Sequence, residues 1–203
     1  MSEDTYKTIV APSEGIYTEK RSKFIAIALP VRTVEEVKAH LETYQKKYYD
    51  ARHVCYAYML GQARDDYRAN DDGEPSGTAG RPILGQINSY DLTNILVIVV
   101  RYFGGILLGT SGLITAYKEA AAEAINNALI IEKTIEKTLT IHFPYELMSE
   151  VSRIMKEFEL KIESQQFEME CEIKFAIPQS QFDHIKGRFA KIYGLDIAEN
   201  HDS

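Results

Sequence analysis

The chain has 203 residues, 45% of them apolar and 26% charged, with a formal net charge of −7. That mixture supports one or two folded domains with a real core and excludes a disordered chain. The acidic balance excludes broad electrostatic binding along phosphate backbones, so a nucleic-acid site would have to be local.

The first residues, Met1 to Tyr6, lack the basic and apolar regions of a signal peptide, so export by that route is not expected. The only two cysteines, Cys55 and Cys171, lie far apart with no Cys-x-x-Cys spacing. Neither a disulfide framework nor a zinc ribbon is suggested, and a reduced, cytoplasmic setting is the simple expectation. The longest apolar run, Ile95 to Val100, is too short to cross a bilayer and ends at Arg101, so no membrane span is expected. Lys20, Arg21, Lys23, Arg32, Lys46 and Lys47 accumulate early in the chain, where a basic face can form, while the region after Lys137 is the most acidic.

Ser22–Pro30 reads as a strand. A helix begins at Thr33, with Glu35 and Glu36 in a first turn where negative charge complements the helix dipole. Val34, Val37, Leu41 and Tyr44 give it one apolar stripe. His53–Leu60 alternates as a strand does and ends at Gly61. From Gln62 to Gly80, Asp, Gly, Pro and Ser replace any periodicity, which predicts a long loop suited to a working role. Asn94–Val100 predicts a buried strand, stopped by Gly104-Gly105. A helix follows, capped by Thr110 or Ser111 and carried by the Ala-rich stretch from Tyr117 through Ala128.

Ile130–Glu136 predicts a domain connection with its boundary near Thr134, which divides the chain into residues 1–133 and 134–203. The second part reads as strand Thr138–Pro144, helix Tyr145–Phe158, an antiparallel pair Leu160–Phe167 and Glu168–Ile177, helix Ser180–Ile192 and a short strand Leu195–Ala198. That order is a ferredoxin-like βαββαβ module, and the fold class expected for the whole chain is α+β.

Chemistry-bearing residues gather between Asp50 and Tyr117. Arg101-Tyr102-Phe103-Gly104-Gly105 closes a buried strand; Arg offers a fork of donors for phosphate, and exposed aromatic faces stack on unpaired bases. The alternative is that the aromatics are core and Arg101 pairs with an acid such as Asp72. Asp71, Asp72 and Glu74 place three carboxylates in one loop, as a magnesium ion or a proton-transfer step would require, or as turn and helix capping would. Pro75 to Gly80, with Ser76 and Thr78, suits either an anion-cradling nest or a tight surface turn. Gly104 to Gly112 precedes a helix but lacks the Gly-Lys-Ser/Thr of a P-loop and the spacing of a dinucleotide fingerprint. His53 and Cys55 fall on one side of their strand, a placement that could orient a base and a nucleophile or offer His53 as a metal ligand; with no third orienting group and no zinc spacing, the favoured reading is Cys55 as a buried thiol and His53 as a partner for a loop carboxylate.

Asp50–Tyr58 (DARHVCYAY), Asp71–Gly80 (DDGEPSGTAG) and Arg101–Gly109 (RYFGGILLG) together resemble the signature of the IMPACT/YigZ family. The resemblance runs from about Ser22 to Ala128, with a weaker, pattern-level likeness of the remainder to the family's bacterial C-terminal domain. It implies a first domain similar to the second domain of ribosomal protein S5, a left-handed βαβ fold shared with translocation elongation factors, and a second domain similar to a ferredoxin-like elongation-factor domain. Those likenesses imply a role tied to RNA or the ribosome, although a fold does not fix a function. Eukaryotic relatives regulate translation through a large activator of an initiation-factor kinase, using an extra N-terminal domain, and that particular partner is not expected here. Where many relatives carry Gly and Arg this chain has Ser111 and Thr115, which removes a cation from the helix after the glycine run.

The expectation is therefore a binding or regulatory protein acting on translation through RNA, the ribosome or a translation factor. Its candidate binding residues are His53, Asp71, Asp72, Glu74, Ser76, Thr78, Arg101, Tyr102, Phe103, Gly104 and Gly105; no catalytic residue, metal ligand or cofactor is assigned. The alternative is a metal-dependent hydrolase or phosphotransferase using the Asp71–Gly80 loop. A third reading gives partner binding to the second module, where Glu163, Glu168, Glu170 and Glu172 would favour a basic protein over RNA.

Overall fold

The computed structural model describes residues 4–199; Met1, Ser2 and Glu3 of the signal-peptide reading lie outside them. Among the described residues one compact unit spans Tyr6–Lys133, and the other joins Asp4 and Thr5 to the chain from Thr134 to Glu199. In chain order the first region contains β1 (Thr5–Ile9), β2 (Ser13–Glu19), β3 (Ser22–Pro30), α1 (Val34–Lys47), β4 (His53–Leu60), β5 (Asp66–Asn70), α2 (Gly80–Ser89), β6 (Ile95–Tyr102), α3 (Gly109–Asn126) and β7 (Ile130–Thr134).

The apolar run of β6 places it in the middle of a five-stranded antiparallel sheet of order β2-β3-β6-β4-β5. Ile95, Val97 and Val99 pack in one core with residues of α2 and α3, while Leu96, Ile98 and Val100 pack in another with Val37 of α1. A strand covered by helices on both faces reads as continuous rather than alternating hydrophobicity. The ladder continues through Arg101 and Tyr102, beyond the expected end at Val100.

α1 starts as expected: Thr33 Oγ1 accepts the Glu36 N–H at 3.2 Å, and Glu36 Oε2 accepts the Arg32 N–H at 2.7 Å. The start of α3 differs from expectation. Its first residue is Gly109, the capping position falls on Leu108 with no side-chain hydrogen bond, and Thr110 and Ser111 lie inside the first turn. The expected Gln62–Gly80 loop also contains β5, an exposed edge strand paired with β4, and it leads into α2, which the sequence did not announce. The expected connection Ile130–Glu136 contains β7, which pairs with β1 in a two-stranded sheet.

The second region contains β8 (Glu136–Phe143), α4 (Met148–Glu157), β9 (Lys161–Phe167), β10 (Cys171–Pro178), α5 (Phe182–Phe189) and β11 (Asp196–Glu199). Its sheet has the order β11-β8-β10-β9 with every neighbouring pair antiparallel. Leu139, Ile141, Phe143, Ile173 and Phe175 of the sheet share a core with Val151, Ile154, Ile185 and Phe189 of the helices. This is the βαββαβ order of a ferredoxin-like module, and the chain as a whole is α+β. Glu168 and Glu170 fall in the turn before β10 rather than on it. Among the described residues no helix is long and apolar enough to cross a membrane.

Candidate functional site

The antiparallel registers bring the starts of β3 and β4 and the ends of β2, β5 and β6 to one end of the first unit. Glu19 pairs with Ser22, Lys23 with Tyr102, His53 with Arg101, and Tyr56 with Asn70. α1 returns from the far end of β3 to the start of β4, which carries Lys46 and Lys47 to this end as well. Lys20, Arg21 and Lys23 are exposed here, whereas Arg32 lies at the opposite end, so the expected basic cluster is split.

Arg101 lies across from Phe24 on one side and His53 on the other, and only 6% of it is exposed. Its Nη1 donates to Glu74 Oε1 at 2.6 Å, and its guanidinium lies 5.8 Å from the Phe24 ring centre and 5.7 Å from that of Phe103. The Tyr117 hydroxyl of α3 donates to the same Glu74 oxygen at 2.7 Å. The partner of Arg101 is thus Glu74, not Asp72, and a guanidinium in this state is not a free fork for an external phosphate.

Glu74 reaches inward because of the turn before it. Asp72 N–H donates to Asn70 Oδ1 at 2.9 Å, Asp72 and Gly73 have φ of 42° and 82°, and Glu74 N–H donates to the Asp71 carbonyl at 2.9 Å. Two consecutive left-handed residues reverse the chain and turn the next side chain toward the sheet. His53 is fixed by the same turn. Its Nδ1 lies 2.7 Å from the Asp72 carbonyl, and because a carbonyl only accepts, Nδ1 carries the proton and Nε2 stands 3.7 Å from Glu74 Oε1.

The three loop carboxylates are each engaged by the protein. Asp71 Oδ1 accepts the N–H groups of Gly80 at 2.8 Å and Ala79 at 3.1 Å, and Oδ2 accepts that of Gly77 at 2.9 Å. The loop is an anion nest, as its glycines suggested, but its anion is Asp71 itself, capping α2. Burial opposes ionisation of Asp71, yet those three N–H groups and Arg81 outweigh it and hold the carboxyl below the usual range. Asp72 Oδ2 accepts the Val54 N–H at 2.6 Å. Among the described residues no group of three or more His, Cys, Asp and Glu is arranged to hold a metal ion. Thr78 is buried and donates to the Pro75 carbonyl at 2.6 Å, while Ser76 is exposed.

Tyr102 and Phe103 part company with the expected aromatic surface. Tyr102 faces the α1 side of the sheet, opposite Arg101, because successive strand residues alternate. Its hydroxyl donates to Asp50 Oδ1 at 2.8 Å, and burial followed by that bond pushes it up to about 12. Phe103 is 40% exposed, with the guanidinium of Arg52 over its ring at 5.6 Å. Gly104 is a point of close packing: an added Cβ would lie 2.1 Å from the Arg21 carbonyl carbon, and its N–H donates to Ser22 Oγ at 3.0 Å. Gly105 turns the chain with φ of 87°.

A cavity of about 320 Å³ opens beside this network, lined by Arg52, His53, Glu74, Arg101, Phe103 and Leu107 and floored by Leu108, Gly109, Thr110 and Leu113 at the start of α3. Sequence reasoning missed Arg52, the role of Tyr117 and the leucines of the β6–α3 loop; the placement of Arg52 directly before His53 was the one available signal. Cys55 does not serve as a nucleophile here. Its sulfur lies 3.0 Å from the Asp71 carbonyl, to which the thiol can donate its one proton, and 3.4 Å from the Tyr117 hydroxyl, and burial, with the carboxylates of Glu74, Asp72 and Asp71, holds its pKa far above the ordinary range.

Known proteins match this chain across the same region. A family model for the Impact N-terminal domain matches residues 20–125. The chain is 31% identical over 182 residues to the IMPACT family member YigZ of Escherichia coli strain K12, covering 89% of each chain. It is 33% identical over 153 residues to the IMPACT family member YvyE of Bacillus subtilis strain 168, covering 75% of this chain and 70% of that relative. The crystal structure of a hypothetical protein aligns with a TM-score of 0.69 and 28% identity over 98% of this chain and 99% of that one.

Proposed function

Because the chain belongs to the IMPACT family, we propose that it is a binding protein that regulates translation, docking RNA, the ribosome or a translation factor at the end of the sheet that carries Arg52 and Phe103. The observation that carries this reading is the exposed Arg52 guanidinium held over the half-exposed Phe103 ring. A cation beside an aromatic face can take a phosphate and stack a base together, at roughly 1–3 kcal/mol per stacked base. Leu107, 82% exposed, and the nearby cations Arg21 and Lys23 extend the surface. The role in translation comes from the family resemblance, and a cytoplasmic setting accompanies it. Arg101, buried against Glu74, shapes the surface without meeting the partner directly.

Ribosome co-sedimentation from native lysate across a salt series tests the reading. The intact protein should travel with ribosomal particles at low salt and leave them as salt rises, because phosphate contacts weaken with counterion concentration. Arg52→Ala and Phe103→Ala should each reduce the pelleted fraction while remaining folded. A protein that stays in the supernatant at every salt concentration would remove ribosomal docking.

A further inference from the structure

The cavity below Arg52 and Phe103 is walled by two acceptor atoms that no donor of the protein meets. We propose that it takes one unpaired guanine base of a single-stranded RNA, read by Glu74 Oε2 and His53 Nε2. The site deepens the docking reading and rests on it, since it names the feature of an RNA that this end of the sheet would hold.

Glu74 supplies the first acceptor. Its side chain is 3% exposed, and Oε1 accepts from Arg101 and Tyr117. Among the described residues no donor reaches Oε2, yet that oxygen is not sealed off, and the cavity that Glu74 lines is its opening. His53 supplies the second. With the Nδ1 proton committed to the Asp72 carbonyl, Nε2 carries a lone pair, and its neighbour at 3.7 Å, Glu74 Oε1, is an acceptor as well. Polar atoms in so enclosed a place are mostly met by a donor. Two acceptors together on a cavity wall therefore call for a ligand that brings N–H groups.

The surrounding charges select a neutral donor over a cationic one. Arg52 and Arg101 outnumber the single carboxylate of the lining, so an ammonium or guanidinium would enter against net positive charge. Among the RNA bases only guanine presents two adjacent donors, N1–H and the 2-amino group, on its Watson–Crick edge. Adenine and cytosine offer one amino group beside an acceptor, and uracil one N–H between two acceptors. Phe103 and Arg52 give the mouth an aromatic ring and a guanidinium plane, the surfaces on which unpaired bases stack. At the same end of the sheet Lys20, Arg21 and Lys23 are exposed, while Asp50 and Asp72 already accept from Tyr102 and Val54. The phosphates flanking the base would therefore meet cations. At about 320 Å³ the cavity sits at the low end of small-ligand pockets, which run from about 300 to 1,000 Å³, and suits one base.

Fluorescence anisotropy of the full chain with labelled short oligouridylates, each carrying one central guanosine, inosine or adenosine, tests the proposal. Inosine keeps N1–H and lacks only the 2-amino group. The guanosine oligomer should bind at least about tenfold tighter than the adenosine one, and about three- to tenfold tighter than the inosine one. Glu74→Gln keeps an oxygen for Arg101 and Tyr117 and turns its amide N–H groups toward the cavity, so it should erase the guanosine preference. If that variant does not fold, the inosine comparison on the wild type decides alone. Equal affinity for the three oligomers, or a guanosine preference that survives in folded Glu74→Gln, would overturn the base site and leave the docking reading standing. If no oligomer binds while the wild type still sediments with ribosomes, the base site falls and the docking reading again stands. Guanosine-selective binding by a protein that never pellets with ribosomes supports the base site and removes only ribosomal docking.

Discussion

Glu74 Oε1 lies 2.6 Å from Arg101 Nη1, with the two side chains 3% and 8% exposed. Removing one partner of such a pair strands a buried charge, at a cost of about 3–5 kcal/mol, whereas removing both leaves an apolar gap that neighbours can fill. Glu74→Leu and Arg101→Met should each lose stability of that order in urea denaturation, and the double variant should be less destabilised than either single one. Additive losses in that cycle would mean the pair is not coupled as its geometry implies.

Asp71 closes the start of α2 through Gly77, Ala79 and Gly80. Its carboxyl is held below its ordinary range in the folded state, so its contribution is present above the unfolded pKa and is lost as pH falls through the lower folded value. At neutral pH, Asp71→Ala should cost about 1–2 kcal/mol, the range of a lost helix cap. The gap between wild type and variant should begin to close below about pH 4. Urea midpoints of both proteins measured from neutral to acid pH check this; a gap that widens on acidification would contradict the assignment.

Gly104 and Gly105 look alike in sequence but do different work. A Cβ on Gly104 would meet backbone at Arg21 and Ser22 at 2.1–2.4 Å, and backbone cannot step aside. A Cβ on Gly105 would meet nothing within 4 Å and suffers only from the φ of 87°. Gly105→Ala should therefore cost about 1–2 kcal/mol, and Gly104→Ala at least about 3 kcal/mol. Thermal denaturation of the two variants side by side decides the order.

These contrasts mark what a sequence can carry. β4 and α1 were legible from the period of their apolar residues, β3 and β6 from unbroken apolar runs bounded by polar and turn residues, and the βαββαβ order of the second region followed from the same kinds of signal. β5, Asp66–Asn70, was not, because an exposed edge strand needs no apolar alternation. α2 was hidden by Gly80, Pro82 and Gly85, which read as loop chemistry although Asp71 caps the helix from outside. Within the site, His53, Glu74 and Arg101 were legible as residue types. Their convergence was not, because it depends on the Asp72-Gly73 turn and on Tyr117, sixteen residues beyond Arg101 along the chain in a helix that reads as ordinary Ala-rich packing.

The alternation of β6 also yields the sharpest test of which surface works. Arg101 and Tyr102 point to opposite faces, so the Arg101-Tyr102-Phe103 run is not one patch: Tyr102 belongs with Asp50 and the α1 face, and Phe103 with Arg52 and the cavity mouth. Tyr102→Phe removes only the hydroxyl bond to Asp50, worth about 0.5–1.5 kcal/mol of stability, and should leave ribosome association unchanged. Phe103→Ala removes a half-exposed ring and its cation contact, and should lower association several-fold at little cost in folding. Measured by co-sedimentation at one low salt concentration, that asymmetry assigns the partner to the Arg52 side of the sheet; a loss in Tyr102→Phe with none in Phe103→Ala would move it to the α1 side, where Lys46 and Lys47 would supply the charge.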